Sequence, residues 1–258
     1  MIIEIKGVEI DNKGSHSMLR AILDNLYQFG SEIEVAVRVT EKFPADELKR
    51  IPAYRKISLR KNIFDFNMLC YHLPEGVRRY LKGVLGWVTE ADIDLILDAS
   101  GFSYSDQWPS KIRIYHLHNE LLRFKKYHKP YVFLPQAFGP FKRQLNRRLI
   151  SNSFKHASMI CARDSRSIEN IVQVTGSLPN LQLRSDFTNL LPAARPMIES
   201  LGQDSICIIP NSNMISPRNA QTAWLQRYEK ILALAIAYYR EKGFDPFFLN
   251  HGGAEDAS

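Results

Sequence analysis

Short apolar runs alternate along this chain with longer segments in which apolar residues recur every three or four positions. The runs predict strands near residues 2–6, 32–38, 56–59, 95–98, 131–134, 159–162 and 182–184. The helical-period segments predict helices near 16–29, 74–85, 109–127, 143–156 and 165–174. Strands alternating with helices build a parallel sheet, and seven strands suffice for a doubly wound, Rossmann-like α/β domain covering 1–191. The Pro- and Ala-rich stretch from Leu191 to Pro196 opens a linker, placed at 192–204. A fresh buried strand at 205–210, a helix near 220–242 and a strand near 246–250 then restart the β-α-β order. A second Rossmann-like domain is therefore expected to begin at 205, with its C-terminal part missing from the 205–258 stretch. A lone β-α-β pair is a poor core, so the expectation is a truncation, a fragment of a two-domain protein, or a chain completed by a partner.

Composition narrows the class. The chain has 258 residues, 45% hydrophobic and 24% charged, as an ordinary globular protein does. Lys and Arg exceed Asp and Glu by seven, with clusters at Arg78, Arg79 and Lys82, at Arg123, Lys125 and Lys126, and at Lys142, Arg143, Arg147 and Arg148. Such faces suit an anionic substrate or membrane surface, and no helix-turn-helix or finger signature points to nucleic acid. Cys70, Cys161 and Cys207 are widely spaced, and the four helical histidines His116, His118, His128 and His156 lack ligand spacing. Neither a disulfide framework nor a metal site is expected. The start at Met1 reads as a strand and not as a signal peptide, so the expected location is the cytoplasm, with the basic faces available to a membrane.

Candidate chemistry gathers where strands end. Arg163 follows the strand near 159–162, with Asp164, Ser165 and Ser167 ready to cap the next helix; a fixed cation beside free helix amides binds phosphate or carboxylate. Arg163 could instead pair with Asp164 or Asp186, and Asp186 could be a cap or the partner that orients Arg163. After the first strand, Asn12, Gly14 and Ser15 precede a helix whose first amides can face an anion, and His16 is either an acid or an unremarkable helix residue. Ser100 and Gly101 follow a middle strand and form either a crevice loop or a simple left-handed turn. Gln136 could lay its amide over a ligand while Gly139 and Pro140 fix the exit of the chain, or the stretch is a rigid loop.

Taken in order, residues 12–16, Ser100-Gly101, Gln136 to Pro140, Ala162 to Ser165 and Ser185 to Phe187 resemble the polysaccharide pyruvyl transferase family. The resemblance covers about residues 2–210 and implies a two-Rossmann-domain, GT-B-like architecture. It implies transfer of the enolpyruvyl unit of phosphoenolpyruvate to hydroxyls of a sugar or lipid-linked saccharide, giving a pyruvate ketal and phosphate. Phosphoenolpyruvate is then the donor substrate and no cofactor is called for. By the same resemblance Arg163 holds the donor's acidic group and His16 is the acid beside it. Asn12, Gly14, Ser15, Ser100, Gly101, Gln136, Gly139, Asp164, Ser165, Asp186 and Asn211 complete the implied binding set. The first loop departs from the family in carrying Lys13 and Ser15, and the middle strand ends in one glycine, Gly101, where a pair is common. Two other readings share the architecture: a GT-B glycosyltransferase using a nucleotide sugar, and a truncated, inactive sugar- or anion-binding module.

Overall fold

The run Ile-Ile-Glu-Ile-Lys forms β1 (Ile2–Lys6), and its alternate side chains go to opposite faces of a sheet. Ile5 enters an apolar layer with Leu19 and Ile22, while Ile2 enters the other layer with Ile114, Leu117 and Leu121. A strand covered on both faces lies inside a parallel sheet. The computed structural model describes residues 1–10, 12–30, 32–108, 110, 112–193, 202–211, 214–215 and 227–249.

After β1 come α1 (Lys13–Leu26), β2 (Glu34–Arg38), β3 (Ala53–Lys56), a small hairpin of β4 (Arg60–Lys61) and β5 (Phe64–Asp65), α2 (Glu75–Leu85) and β6 (Trp87–Val88). They are followed by β7 (Leu95–Asp98), α3 (Ile112–Lys126), β8 (Tyr131–Gln136), α4 (Gln144–Ser153), β9 (Met159–Ala162), α5 (Ser165–Thr175) and β10 (Leu181–Leu183). Eight strands pair in parallel in the order β10-β9-β8-β7-β1-β2-β3-β6. The chain runs outward from β1 through β2, β3 and β6, then crosses back to the other side of β1 at β7. The strand order therefore reverses between β1 and β7, and a crevice opens at the carboxyl ends of those two strands.

Helices cover both faces, which is the Rossmann-like doubly wound arrangement. Leu117 and Leu121 of α3, Ile150 of α4 and Ile171 of α5 fill one layer. Residues of α1 fill the other with Phe187, from a short 3-10 turn at Phe187–Leu190. Local signals explain the helix ends. The Asn12 side chain accepts from the Ser15 amide at the start of α1, and Asp164 accepts from the Ser167 amide at the start of α5.

The structure corrects several predicted elements. β3 occupies Ala53–Lys56, and the run expected at 56–59 is mostly the loop that leaves it. β6 is an edge strand of two residues, too short to show a period. The helix expected at 143–156 stops at Ser153 and tightens into a 3-10 turn at Phe154–His156. The helix expected from 109 is observed from Ile112, and residues 109 and 111 lie outside the described residues.

The chain divides into two compact units, Met1–Leu191 and Pro192–Ser258. In the second, β11 (Ser205–Ile208) and β12 (Asp245–Phe248) pair in parallel, with α6 (Tyr228–Glu241) between them in sequence. Residues 194–201 of the expected linker, 220–226 of the expected helix, and 250–258 lie outside the described residues.

Candidate functional site

Strand register sets four charged residues in one row across the carboxyl edge of the sheet. Lys6 of β1 stands beside Asp98 of β7, and Arg38 of β2 stands beside Lys56 of β3. Ile5 pairs with Val37 one residue earlier, so Lys6 also neighbours Arg38. Lys6 has the parity of Ile2, which turns it toward the face that α3 covers. From α3, Glu120 comes down into the row. The Lys6 ammonium donates to Glu120 Oε2 at 2.5 Å and to the Tyr131 hydroxyl at 2.6 Å. Lys56 contacts Glu4 and lies 3.5 Å from Glu120 Oε1, which also accepts from Arg60 Nη2 at 3.1 Å. Arg60 in turn holds Asp65, Asp65 meets Arg123, and Arg123 forks onto Glu90 at 2.6 and 2.9 Å.

Above this floor is a cleft of about 260 Å³. Its walls come from the exit of β1 at Gly7, from Arg38 and Thr40 after β2, from Ser58 after β3, from Ser100 and Ser103 after β7, and from Arg113 and His116 of α3. It lies at the switch point that the strand order predicts. Gly7 is required there: its φ is +83°, and a Cβ at this position would lie 2.3 Å from Ser100 Oγ and 2.4 Å from Ser100 Cα.

The ions on the floor are locked. Burial alone would lower the Lys6 ammonium, but Glu120, Tyr104 and Asp98 outweigh it and hold its pKa above the usual range. Burial alone would raise the Glu120 carboxyl, but Lys6, Arg60 and Lys56 hold it well below the usual carboxylate range. Glu4 goes the other way, because burial raises it and Lys56 offsets only part of that. The Tyr104 and Tyr131 hydroxyls both donate to Asp98, and burial together with that carboxylate pushes them above the usual phenol range. Groups held so firmly in one state bind and orient ligands; they are poorly suited to moving protons near neutral pH.

Three histidines of the first unit are depressed. Burial lowers His116, His118 and His156, helped at His116 by Arg60 and Arg38 and at His156 by Lys125 and Lys155. In the unfolded chain each takes a proton near pH 6.5, whereas the folded state resists it. Their contribution to stability is therefore complete above that pH and is lost as pH falls toward the folded values. Thermal melts of the wild type are expected to drop between pH 7.5 and 5.5 more steeply than those of a His118→Gln/His156→Gln variant. Equal slopes for the two proteins would contradict this assignment.

The motif residues read from the sequence fall into two groups. Backbone hydrogen bonds join three of the loops: the Ala137 amide donates to the Gly101 carbonyl at 2.9 Å, and the Arg163 amide donates to the Gln136 carbonyl at 3.1 Å. Ser100 lines the cleft, and Gly101, at φ +66°, lies against Met18 of α1. Arg163 is at the carboxyl edge of β9, with Nη1 3.6 Å from Asp186 Oδ2; the two side chains are 39% and 36% exposed. Asp186 also accepts from the Thr188 amide and hydroxyl, starting the turn whose Phe187 packs on α1. His16 is exposed in the first turn of α1, Ser165 is exposed at the first position of α5, and Gly14 is exposed beside Asn12.

Other readings need correction. The Gln136 side chain does not overlie a crevice: it is fully buried, and its amide donates to the Asp98 carbonyl at 3.3 Å. Gly139 makes room for α5, since a Cβ there would lie 2.7 Å from Asn170 Cβ. The amides of Ser15 and His16 are already taken by Asn12, and the buried Ser15 hydroxyl accepts from the Glu9 amide at 2.6 Å. Asn12, Ser15 and Asp164 thus build their helix starts. Asn211 belongs to the second unit, where its amide donates to the Tyr228 hydroxyl at 2.8 Å. The sequence reading missed Lys6, Arg38, Lys56 and Glu120. The signal for them was a Glu and a Lys of equal parity in an otherwise apolar first strand.

Among the described residues no helix is long and apolar enough to cross a membrane, and no group of three or more His, Cys, Asp or Glu could hold a metal ion. A comparison with curated proteins gave no match. Among solved structures, a UDP-N-acetylglucosamine 2-epimerase aligns with 99% of this chain and 70% of its own, at 10% identity and a TM-score of 0.43. A UDP-GlcNAc 2-epimerase from Neisseria meningitidis, bound to UDP-GlcNAc, aligns with 72% of this chain and 47% of its own, at 10% identity and a TM-score of 0.40. The chain thus spans less than half the length of the second of these. The family model described as polysaccharide pyruvyl transferase matches residues 12–258. That match runs from the cap of α1 through every motif loop described above, and the chain belongs to the polysaccharide pyruvyl transferase family.

Proposed function

We propose that the protein transfers the enolpyruvyl unit of phosphoenolpyruvate to two hydroxyls of a saccharide. The methylene carbon of the donor gains a proton and becomes a methyl group, and one sugar hydroxyl bonds through its oxygen to the neighbouring carbon while its proton returns to the acid that supplied the first. A second sugar oxygen then displaces phosphate from that carbon and closes the ketal, its proton leaving with the phosphate. Phosphoenolpyruvate enters as donor substrate, and no cofactor takes part in the proposal.

One observation carries the reading: in a chain of this family, Arg163 stands at a strand terminus and, among the described residues, its side chain is held only by a loose, half-exposed pair with Asp186. Such a pair contributes little, so a carboxylate or phosphate can take the guanidinium over with two parallel hydrogen bonds. Ser165, at the first turn of α5, adds a hydroxyl beside the helix N-terminus, where an anion is favoured. His16 is the proposed proton donor, since it is exposed on α1, the helix on which the Asp186 turn packs.

The test is donor binding and turnover. The protein incubated with labelled phosphoenolpyruvate and saccharide acceptors should release phosphate and form a ketal. Arg163→Ala should weaken phosphoenolpyruvate binding by about 2 kcal/mol, the scale of a lost charged hydrogen bond. A donor that does not bind the wild type, or that binds the variant equally well, would end this reading. Stabilisation by nucleoside diphosphates in its place would favour a nucleotide-sugar enzyme.

A further inference from the structure

The cleft at the switch point holds more positive charge than its own acids neutralise. Lys6, Lys56 and Arg60 are matched by Glu120, Glu4 and Asp65, and Asp98 adds a further acid 3.4 Å from Lys6. Glu9, at the rim, is held by Lys42. Arg38 and Arg113 also border the cleft, and among the described residues neither side chain makes an ion pair or a hydrogen bond. Arg38 stands in the row directly between Lys6 and Lys56, and like charges on adjacent strands repel. Burial and the nearby Arg60 lower its guanidinium from the usual value, and the more distant Glu4, Glu120 and Asp65 offset only part of that. Arg113 lies across the wall with its guanidinium 6.0 Å over the Trp108 ring. Two guanidinia without an ion-pair partner among the described residues, both facing one small cleft, match a doubly charged group, and departures from local consistency of this kind mark binding sites.

This is a different place from the proposed donor site. Arg163 and His16 do not line the cleft, and β9 is three strands from β1, roughly 14 Å at the usual strand spacing.

We propose that the cleft is an acceptor subsite in which Arg38 and Arg113 clamp the phosphate or diphosphate of an anionic saccharide. Calling the ligand an acceptor rests on the pyruvyl transferase reading; the anion clamp rests on the cleft alone. A free glycosyl phosphate and a lipid-linked glycosyl diphosphate present the same chemistry to the two arginines.

Calorimetry on the full chain tests this with inorganic pyrophosphate, a panel of hexose 1-phosphates, the matching neutral hexoses, a farnesyl diphosphate-linked hexose, and phosphoenolpyruvate. Pyrophosphate and at least one phosphorylated sugar are expected to bind, and Arg38→Gln/Arg113→Gln should weaken both about tenfold or more. The unliganded melting temperature should change little, because among the described residues neither side chain makes an ion pair or a hydrogen bond and the Arg113 contact with Trp108 is a long one at 6.0 Å. Whichever of the free and lipid-linked sugars binds tighter identifies the source, and either result supports the clamp. No binding of any phosphorylated probe, equal binding of neutral hexoses, or affinities unchanged in the double variant would overturn it. Loss of phosphoenolpyruvate alone in the double variant would overturn the acceptor assignment and make the cleft the donor site. Arg163→Ala reports separately on the donor reading, so the two can fail independently.

Discussion

Replacing Glu120 with alanine is expected to destabilise the first unit by about 3–5 kcal/mol, the range for leaving buried charge without its partner. Glu120 is 1% exposed and meets Lys6, Lys56 and Arg60 at 2.5, 3.5 and 3.1 Å. Its removal leaves three cations close together at the carboxyl edge, with Glu4 and Asp65 holding Lys56 and Arg60, and Lys6 left only with Asp98 at 3.4 Å among the described residues. In a unit of this size such a loss lowers the melting temperature by roughly 10 °C. Urea titration monitored by circular dichroism gives the free energy directly, and a change below about 1 kcal/mol would show that the cluster does not anchor α3 to the sheet.

The cause can be separated from simple loss of packing. A buried ion pair replaced on both sides by apolar groups of similar size is often neutral, whereas removal of one side is strongly unfavourable. Glu120→Leu combined with Lys6→Met should therefore be less destabilised than Glu120→Ala alone. The pH dependence runs in a known direction. The Glu120 carboxyl is held below its unfolded value, so its contribution is complete above the ordinary carboxylate pKa and is lost as pH falls through the depressed folded one. Glu4 is raised and acts in the opposite sense, which makes Glu120→Gln the variant that isolates the acid-sensitive part.

The same cluster shows what a sequence can and cannot reveal. β1, β2 and β7 were legible because their apolar runs are long enough to mark a strand covered on both faces. α1 and α5 were legible because Asn12 and Asp164 are caps with a known chemistry. β3 was read three residues late because its last residue, Lys56, is a buried cation, and the apolar Ile57 and Leu59 beyond it looked more like a strand. Loop candidates chosen for small residues divided according to a property no local pattern carries. Ser100 faces the cleft, whereas Gln136 turns inward to the Asp98 carbonyl and ties two loops together. The row Asp98-Lys6-Arg38-Lys56 comes from four strands spread over 93 residues, so only the strand order assembles it. Charges that close apolar strands at their carboxyl ends are the trace such a row leaves in one dimension.

Gly7→Ala is the second large effect, because two independent penalties fall on one atom. At φ +83° an L side chain is strained by about 1–2 kcal/mol before it touches anything. The added Cβ would also lie within 2.7 Å of the Ser100 amide nitrogen and within 2.4 Å of its Cα, which are backbone atoms that cannot rotate away. The loop after β7 must then move off the end of β1, and that loop is tied by the Ser100 amide to Asp98 and by the Ala99 amide to the Lys6 carbonyl. The expected loss is about 3 kcal/mol or more, combining the strain with the 1–3 kcal/mol typical of overpacking. The signature that distinguishes it from Glu120→Ala is local: Gly7→Ala should weaken anion binding in the cleft even at temperatures where the unit stays folded, since Ser100 and Lys6 both face that space. Measuring pyrophosphate affinity and the melting temperature on the same sample decides the point. A Gly7→Ala protein as stable as the wild type would mean that β1 and β7 do not approach each other this closely, and the switch-point cleft would lose its frame.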